Sequence, residues 1–229
     1  MSNVDFSELG KKSYSWLGIH GKTVIIGMIL PLVIFSILAW QVNQAREGFS
    51  WEIAILLEIH NNAQPLLDKI ARPLTNLGGF PGVMGLSIPI VLWLVYQKQW
   101  QKLAYFSVTI LGNEILSFST KILFHRIRPD LWEAAYIPAQ KFAFPSGHAM
   151  RTLTFFIILF ILTKGSGWNI IVSLVSGLFV LVIAWTRLYL GVHFPSDILG
   201  GWLMAITWTI GITLIFNLSP VQKEDELTK

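Results

Sequence analysis

Long apolar runs separated by short polar stretches dominate this chain. Four runs carry no charged residue: Thr23–Ala45, Pro73–Gln97, Gly165–Thr186 and Ile198–Gln222. Each is long enough to cross a bilayer, which takes about 20 apolar residues in a helix. Two further runs are interrupted, Leu103–Phe124 by Glu114 and Lys121, and Ser146–Thr163 by His148 and Arg151. The pattern predicts an all-α integral membrane bundle of six transmembrane helices, at about 23–45, 78–97, 103–124, 146–164, 168–187 and 196–217. Residues 50–79, SWEIAILLEIHNNAQPLLDKIARPLTNLGG, read differently. Their apolar positions recur near helical spacing but are broken by charges and by Pro65 and Pro73. This predicts short interfacial helices between the first and second spans, with an ordered loop as the alternative.

Composition agrees with the pattern. The chain has 229 residues, 53% hydrophobic and 13% charged, with a mean hydropathy of +0.59. A soluble domain carries about 25% charged residues, so this balance argues for a membrane protein. The absence of cysteine excludes a disulfide framework and thiol chemistry. The first apolar run starts at Thr23 and is long enough to stay as an anchor, so no cleaved signal is expected. A net charge of +4 suits anionic lipid surfaces and is too diffuse for nucleic acid. With no internal repeat or low-complexity linker, residues 1–229 read as a single domain.

Counting spans assigns sides. Lys121 and Arg128 follow the third span, His148 opens the fourth, Arg187 closes the fifth, and His193 and Asp197 open the sixth. Parity puts all of them on one face, opposite both termini. The other face carries Lys11, Lys12, Lys22, Lys98, Lys102, Lys164, Lys223 and Lys229, against nine basic residues on the motif-bearing face. The raw count therefore does not orient the bundle. The short connections QKQWQK and TKGSG, basic and without acid, place the termini in the cytoplasm and the motif-bearing face on the exoplasmic side of the plasma membrane.

Charge near membrane depth is costly and points to function. Taken singly, these cations read as interfacial anchors and each histidine as structural. Taken together, three cations, two histidines, one carboxylate and a helix start read as a phosphate site. Arginine forks and lysine point charges match phosphoryl oxygens. The sequence FPSGH supplies backbone N–H groups at a helix N-terminus, with Ser146 as the N-cap residue and Gly147 allowing close approach. A histidine with a carboxylate four residues on, such as His193 with Asp197, can be held in one tautomer for attack while a second histidine donates a proton.

Three segments resemble the signature of the type 2 phosphatidic acid phosphatase superfamily, lipid phosphate phosphatases related to vanadium haloperoxidases. They are Lys121 with Arg128–Pro129, then Pro145–Ser146–Gly147–His148, then Thr186–Arg187 with His193 and Asp197. Thr186 stands where the family carries serine and keeps the hydroxyl. The resemblance implies His193 as nucleophile forming a phosphohistidine, Asp197 orienting it, and His148 as general acid. It implies that Lys121, Arg128, Arg187, Ser146 and Gly147 hold the phosphoryl oxygens, with no metal and no cofactor. The partner it implies is a membrane lipid phosphate: phosphatidic acid, phosphatidylglycerol phosphate or an isoprenyl pyrophosphate. The motifs read the phosphoryl group and so do not separate these. A phosphotransferase sharing the intermediate, and an anion or lipid transporter without chemistry, are the rival readings. Of the remaining charges, Glu114 is expected to pair with a buried cation or polar neighbour. His125 and Arg126 are expected to anchor at the interface, with contact to a lipid head group as the alternative, and His60 to be structural or interfacial. The ten tryptophans fit interfacial belts.

Overall fold

The apolar runs fold as helices. The computed structural model describes residues 18–132 and 140–218, and every regular element within them is helical. They are α1 (Gly18–Gln44), α2 (Ser50–Asn61), α3 (Pro65–Leu77), α4 (Phe80–Tyr96), α5 (Trp100–Phe124), α6 (Gly147–Thr163), α7 (Asn169–Tyr189) and α8 (Pro195–Ile215). Each expected span coincides with one of these helices to within a few residues. Residues 50–79 form two helices, α2 and α3, so the loop alternative falls away.

Proline opens three of them. Pro65, Pro81 and Pro195 stand in first turns, where a missing N–H costs no intrahelical bond. Helix α1 contains a π-helical stretch at Ile25–Ile29. Among the described residues, three helices are long and apolar enough to cross a membrane: α1, α7 and α8. Helices α3 and α4 pass that test only as one broken span, bent by 57°. Helix α6 is apolar but shorter, at 17 residues. Helix α5, with 25 residues, carries Glu114 and Lys121.

Helix α6 is central, packed against α5, α7 and α8. A close approach brings α8 to its start: a Cβ on Gly201 would lie 2.7 Å from the Ser146 carbonyl oxygen. The Ser146 N–H donates to the Asp197 carbonyl at 2.9 Å, tying the two segments together. One core cluster joins α4, α5, α6 and α8 through Val83, Tyr105, Phe106, Phe155, Ile158 and Ile212. A second packs Phe35 and Val42 of α1 against Phe144, Met150 and Met204. On the outside, Ile170, Leu174, Leu178 and Leu181 of α7 form a stripe exposed by 60% to 72%. Such a patch suits a lipid environment and not water.

Candidate active site

Helix ends assemble the site. Helix α5 delivers Lys121 in its last turn and stops at His125, whose backbone is left-handed with φ 49°. Histidine enters that region more readily than most residues. The turn separates near neighbours: Arg126 is wholly buried, whereas Arg128 reaches a cavity. Arg187 comes from the last turn of α7. Gly191, at φ 64°, then starts the loop that carries His193. Asp197 follows in the first turn of α8.

The cavity has a volume of about 430 Å³. Lys121, Arg128, Gly147, His148, Arg187 and His193 line it, together with Arg151, Gln140, Asn76, Gly79, Phe80 and Pro81. Six of the eight residues singled out in the sequence therefore meet in one space. Asp197 lies behind His193 and is fully buried. Ser146 is also buried; it stands at the N-cap of α6 but makes no side-chain cap bond. Its hydroxyl has no hydrogen-bond partner among the described residues. The capping role expected from its position is thus not filled.

Geometry settles the tautomer of His193. Arg128 Nη1 lies 3.1 Å from His193 Nε2. A guanidinium can only donate, so Nε2 is the acceptor and its lone pair faces the arginine. The ring proton then sits on Nδ1, which donates to Asp197 Oδ2 at 3.2 Å. Burial, and then the charges of Arg128, Arg187 and Lys121, hold the imidazole pKa well below its ordinary value. Both effects disfavour a second proton and leave the ring neutral.

The cations are held at defined positions. Lys121 Nζ donates to the Phe142 and Ala143 carbonyls at 3.0 and 3.3 Å. Arg128 donates to the Gln140 and Val192 carbonyls at 2.9 and 2.6 Å. Arg187 Nη1 donates to Thr75 Oγ1 at 2.7 Å, linking α7 to α3.

Several residues were not legible beforehand. The bend between α3 and α4 places Asn76, Gly79, Phe80 and Pro81 in the cavity wall. Arg151 also lines it, held by Glu114 in a fork of 2.6 and 2.8 Å. The pairing expected of Glu114 is therefore present, with Arg151 as the cation. Arg126 requires a correction, since interfacial anchoring does not describe it. It is 0% exposed and bridges Glu52 at 2.7 Å and Asp197 at 2.6 Å. Full burial of a guanidinium demands such partners, and they come from helices distant in sequence. His125 stays exposed, its ring edge-on to Phe142. His60 stacks on Trp132 at 4.2 Å, a structural contact.

Comparison with known proteins follows the same residues. Residues 102–220 match the model of the PAP2 superfamily, a stretch that contains all three segments. Phosphatidylglycerophosphatase B of Bacillus subtilis is 28% identical over 204 residues, covering 85% of this chain and 92% of that protein. An undecaprenyl-diphosphatase of Sulfolobus acidocaldarius is 25% identical over 152 residues, covering 62% of this chain and 69% of that protein. The crystal structure of a transmembrane PAP2-type phosphatidylglycerolphosphate phosphatase from Bacillus subtilis superposes with a TM-score of 0.72 at 25% identity. It covers 82% of this chain and 95% of that one.

Proposed function

Because this chain belongs to the PAP2 superfamily, we propose that it is an integral membrane lipid phosphatase acting through a phosphohistidine. The observation that carries this reading is His193, its Nε2 at 3.1 Å from Arg128 and its Nδ1 at 3.2 Å from Asp197, set at a cavity lined by Lys121, Arg128, Arg187 and His148. His193 Nε2 attacks phosphorus in line. The bond from phosphorus to the lipid oxygen breaks, and His148 gives that oxygen a proton. Water, deprotonated by His148, then attacks the phosphohistidine. The P–N bond breaks, inorganic phosphate leaves and His193 is restored. Lys121, Arg128, Arg187, the Ser146 hydroxyl and the Gly147 end of α6 hold the non-bridging oxygens, whose charge must be neutralised in the transition state.

The substrate is a lipid phosphomonoester or pyrophosphate of the phosphatidic acid, phosphatidylglycerol phosphate or isoprenyl pyrophosphate type. The names of the relatives and the phosphoryl-reading chemistry of the cavity support this class. The chain forms one membrane phosphatase domain of six spans, α1 and α4–α8, with α2 and α3 lying at the interface. The termini are cytoplasmic and the site faces the exoplasmic side of a bacterial inner membrane. Cysteines placed at Gln99 and Gln140 test the sidedness in intact cells: an impermeant reagent should label position 140 and spare 99, and the reverse pattern sinks it. The function is tested by phosphate release from purified protein against a panel of lipid phosphates with no added acceptor. Turnover of at least one, absent in His193→Ala, is expected. No release from any of them rejects the reading.

A further inference from the structure

Two helix starts of the same construction face each other across one arginine. Helix α2 begins after Phe49 and carries Glu52 in its first turn; helix α8 begins after Phe194 and carries Asp197 in its first turn. Each carboxylate accepts from the N–H of its own phenylalanine, Glu52 Oε2 at 3.0 Å and Asp197 Oδ2 at 2.8 Å. Arg126 lies between them. Its guanidinium stands 4.5 Å from the Phe194 ring centroid and 5.9 Å from that of Phe49. One nitrogen, Nη2, donates to Glu52 Oε2 at 2.7 Å. The other, Nη1, donates to Asp197 Oδ1 and to Ser196 Oγ, both at 2.6 Å. Glu52 Oε1 accepts in turn from the Ser196 N–H at 2.9 Å and from the Ser196 hydroxyl. Glu52, Arg126, Ser196 and Asp197 are each 0% exposed, and none lines the cavity.

From this arrangement we infer that Arg126, clamped by Glu52, is a positioning residue for the reaction: it orients Asp197, and through Asp197 sets His193 for attack. The inference rests on the reading of His193 and Asp197 as the reacting pair. Three physical points carry it. First, Asp197 Oδ2 already serves His193 Nδ1 and the Phe194 N–H, so Arg126 is what holds Oδ1. The terminal torsion of an aspartate is broad, so a carboxylate gripped at one oxygen would rotate and lose its aim.

Second, the turn between His193 and Asp197 is pinned through Ser196, whose N–H and hydroxyl both go to Glu52. Third, the charges add up in favour of the chemistry. When Nε2 bonds to phosphorus, the imidazole becomes cationic and needs a negative charge at Nδ1. Arg126 with Asp197 alone would be a neutral pair. With Glu52 the trio carries one net negative charge beside the ring.

A group that acts only through Asp197 has a distinctive signature: it should change turnover without changing substrate binding, and it should fall silent once Asp197 is disabled. The experiment measures kcat and KM for phosphate release from a short-chain phosphatidic acid in detergent, using the full-length protein. The variants are Arg126→Gln, Arg126→Lys, Glu52→Gln, Asp197→Asn, and the first and third of these combined with Asp197→Asn. Arg126→Gln should lose roughly 10²-fold in kcat with KM little changed, the scale expected from a misplaced reacting group. Arg126→Lys, which keeps charge but not the two-armed fork, should fall between Arg126→Gln and wild type.

Asp197→Asn should cost about 10⁴-fold. In that background Arg126→Gln should add less than about twofold, because the two act in series. Glu52→Gln, which alters one charge without changing shape, carries the same test should Arg126→Gln not fold. Turnover by the wild type and its loss in Asp197→Asn report on the proposed function; the Arg126 and Glu52 arms report on the inference. The inference is overturned if either variant raises KM and leaves kcat intact, or costs as much in the Asp197→Asn background as in wild type.

Discussion

Arg126 and Arg128 stand two residues apart and have opposite settings. Arg126 is sealed among Glu52, Asp197 and two phenylalanine rings, with no exposed surface. Arg128 lines the cavity, steadied by the Gln140 and Val192 carbonyls and aimed at His193 Nε2. A guanidinium meeting two carboxylates in a dry interior is neutralised, and its value lies in geometry. A guanidinium that lines a cavity is within reach of an anion that enters it. Which of the two settings the same side chain takes depends on the acceptors supplied by other parts of the fold. Arg151 lies between these extremes: it lines the cavity yet is held by Glu114.

The largest effects should come from the two histidines that line the cavity, His193 and His148. His193→Ala should abolish turnover and any covalent phosphoenzyme. His148→Ala should cost roughly 10²- to 10⁴-fold on alkyl phosphate esters, the usual worth of a general acid, while largely sparing aryl phosphates, whose leaving groups need little proton assistance. Trapping with a labelled aryl phosphate followed by an alkaline quench checks both. Label on the His193 variant and none on the His148 variant would reverse the two roles.

Next in size is the contrast between the arginines themselves. Arg128→Ala should lower kcat/KM by about 10²- to 10³-fold, the cost of losing one preorganised donor to transition-state charge. Its thermal midpoint should remain near that of wild type. Arg126→Met should instead lose about 3–5 kcal/mol of stability, because two buried carboxylates are left uncompensated. Kinetics paired with thermal unfolding in detergent decides this, and equal destabilisation by the two substitutions would erase the distinction drawn between them.

The smallest effect is a shift in pH dependence. Burial, followed by the Arg128, Arg187 and Lys121 charges, disfavours the imidazolium of His193, so the acidic limb of kcat/KM should lie below about 6.5, the ordinary histidine value. Removing a nearby cation favours the protonated ring. Arg128→Gln should therefore raise the pH of that limb, whereas Glu52→Gln, which removes a negative charge, should not. A limb unmoved by Arg128→Gln would mean that the 3.1 Å contact with Nε2 has no electrostatic weight in solution.

Much of this molecule was already decided by local pattern. Apolar runs of bilayer length become helices wherever they occur, because a buried backbone must satisfy its own hydrogen bonds, and the helix ends follow from Pro65, Pro81, Pro195 and the Ser146–Gly147 start. Lys121, Arg128, His148, Arg187, His193 and Asp197 were legible because each is a charged or titratable group where apolar sequence should continue, and their spacing matched one chemistry. Glu52 and Arg126 were equally visible as charges, yet their meaning was not. Glu52 has the position of an ordinary first-turn acid, and it does accept from its own N-cap. Only the packing of α2 against the start of α8 brings it to Arg126, across 74 residues, and to Ser196, across 144. The wall formed by Asn76, Gly79, Phe80 and Pro81 likewise exists only because α3 and α4 meet at a bend over the site. Periodicity and spacing are local and settle which segments form helices and which groups they carry. The partner of a buried charge is settled by which helices pack together, and no local pattern encodes that.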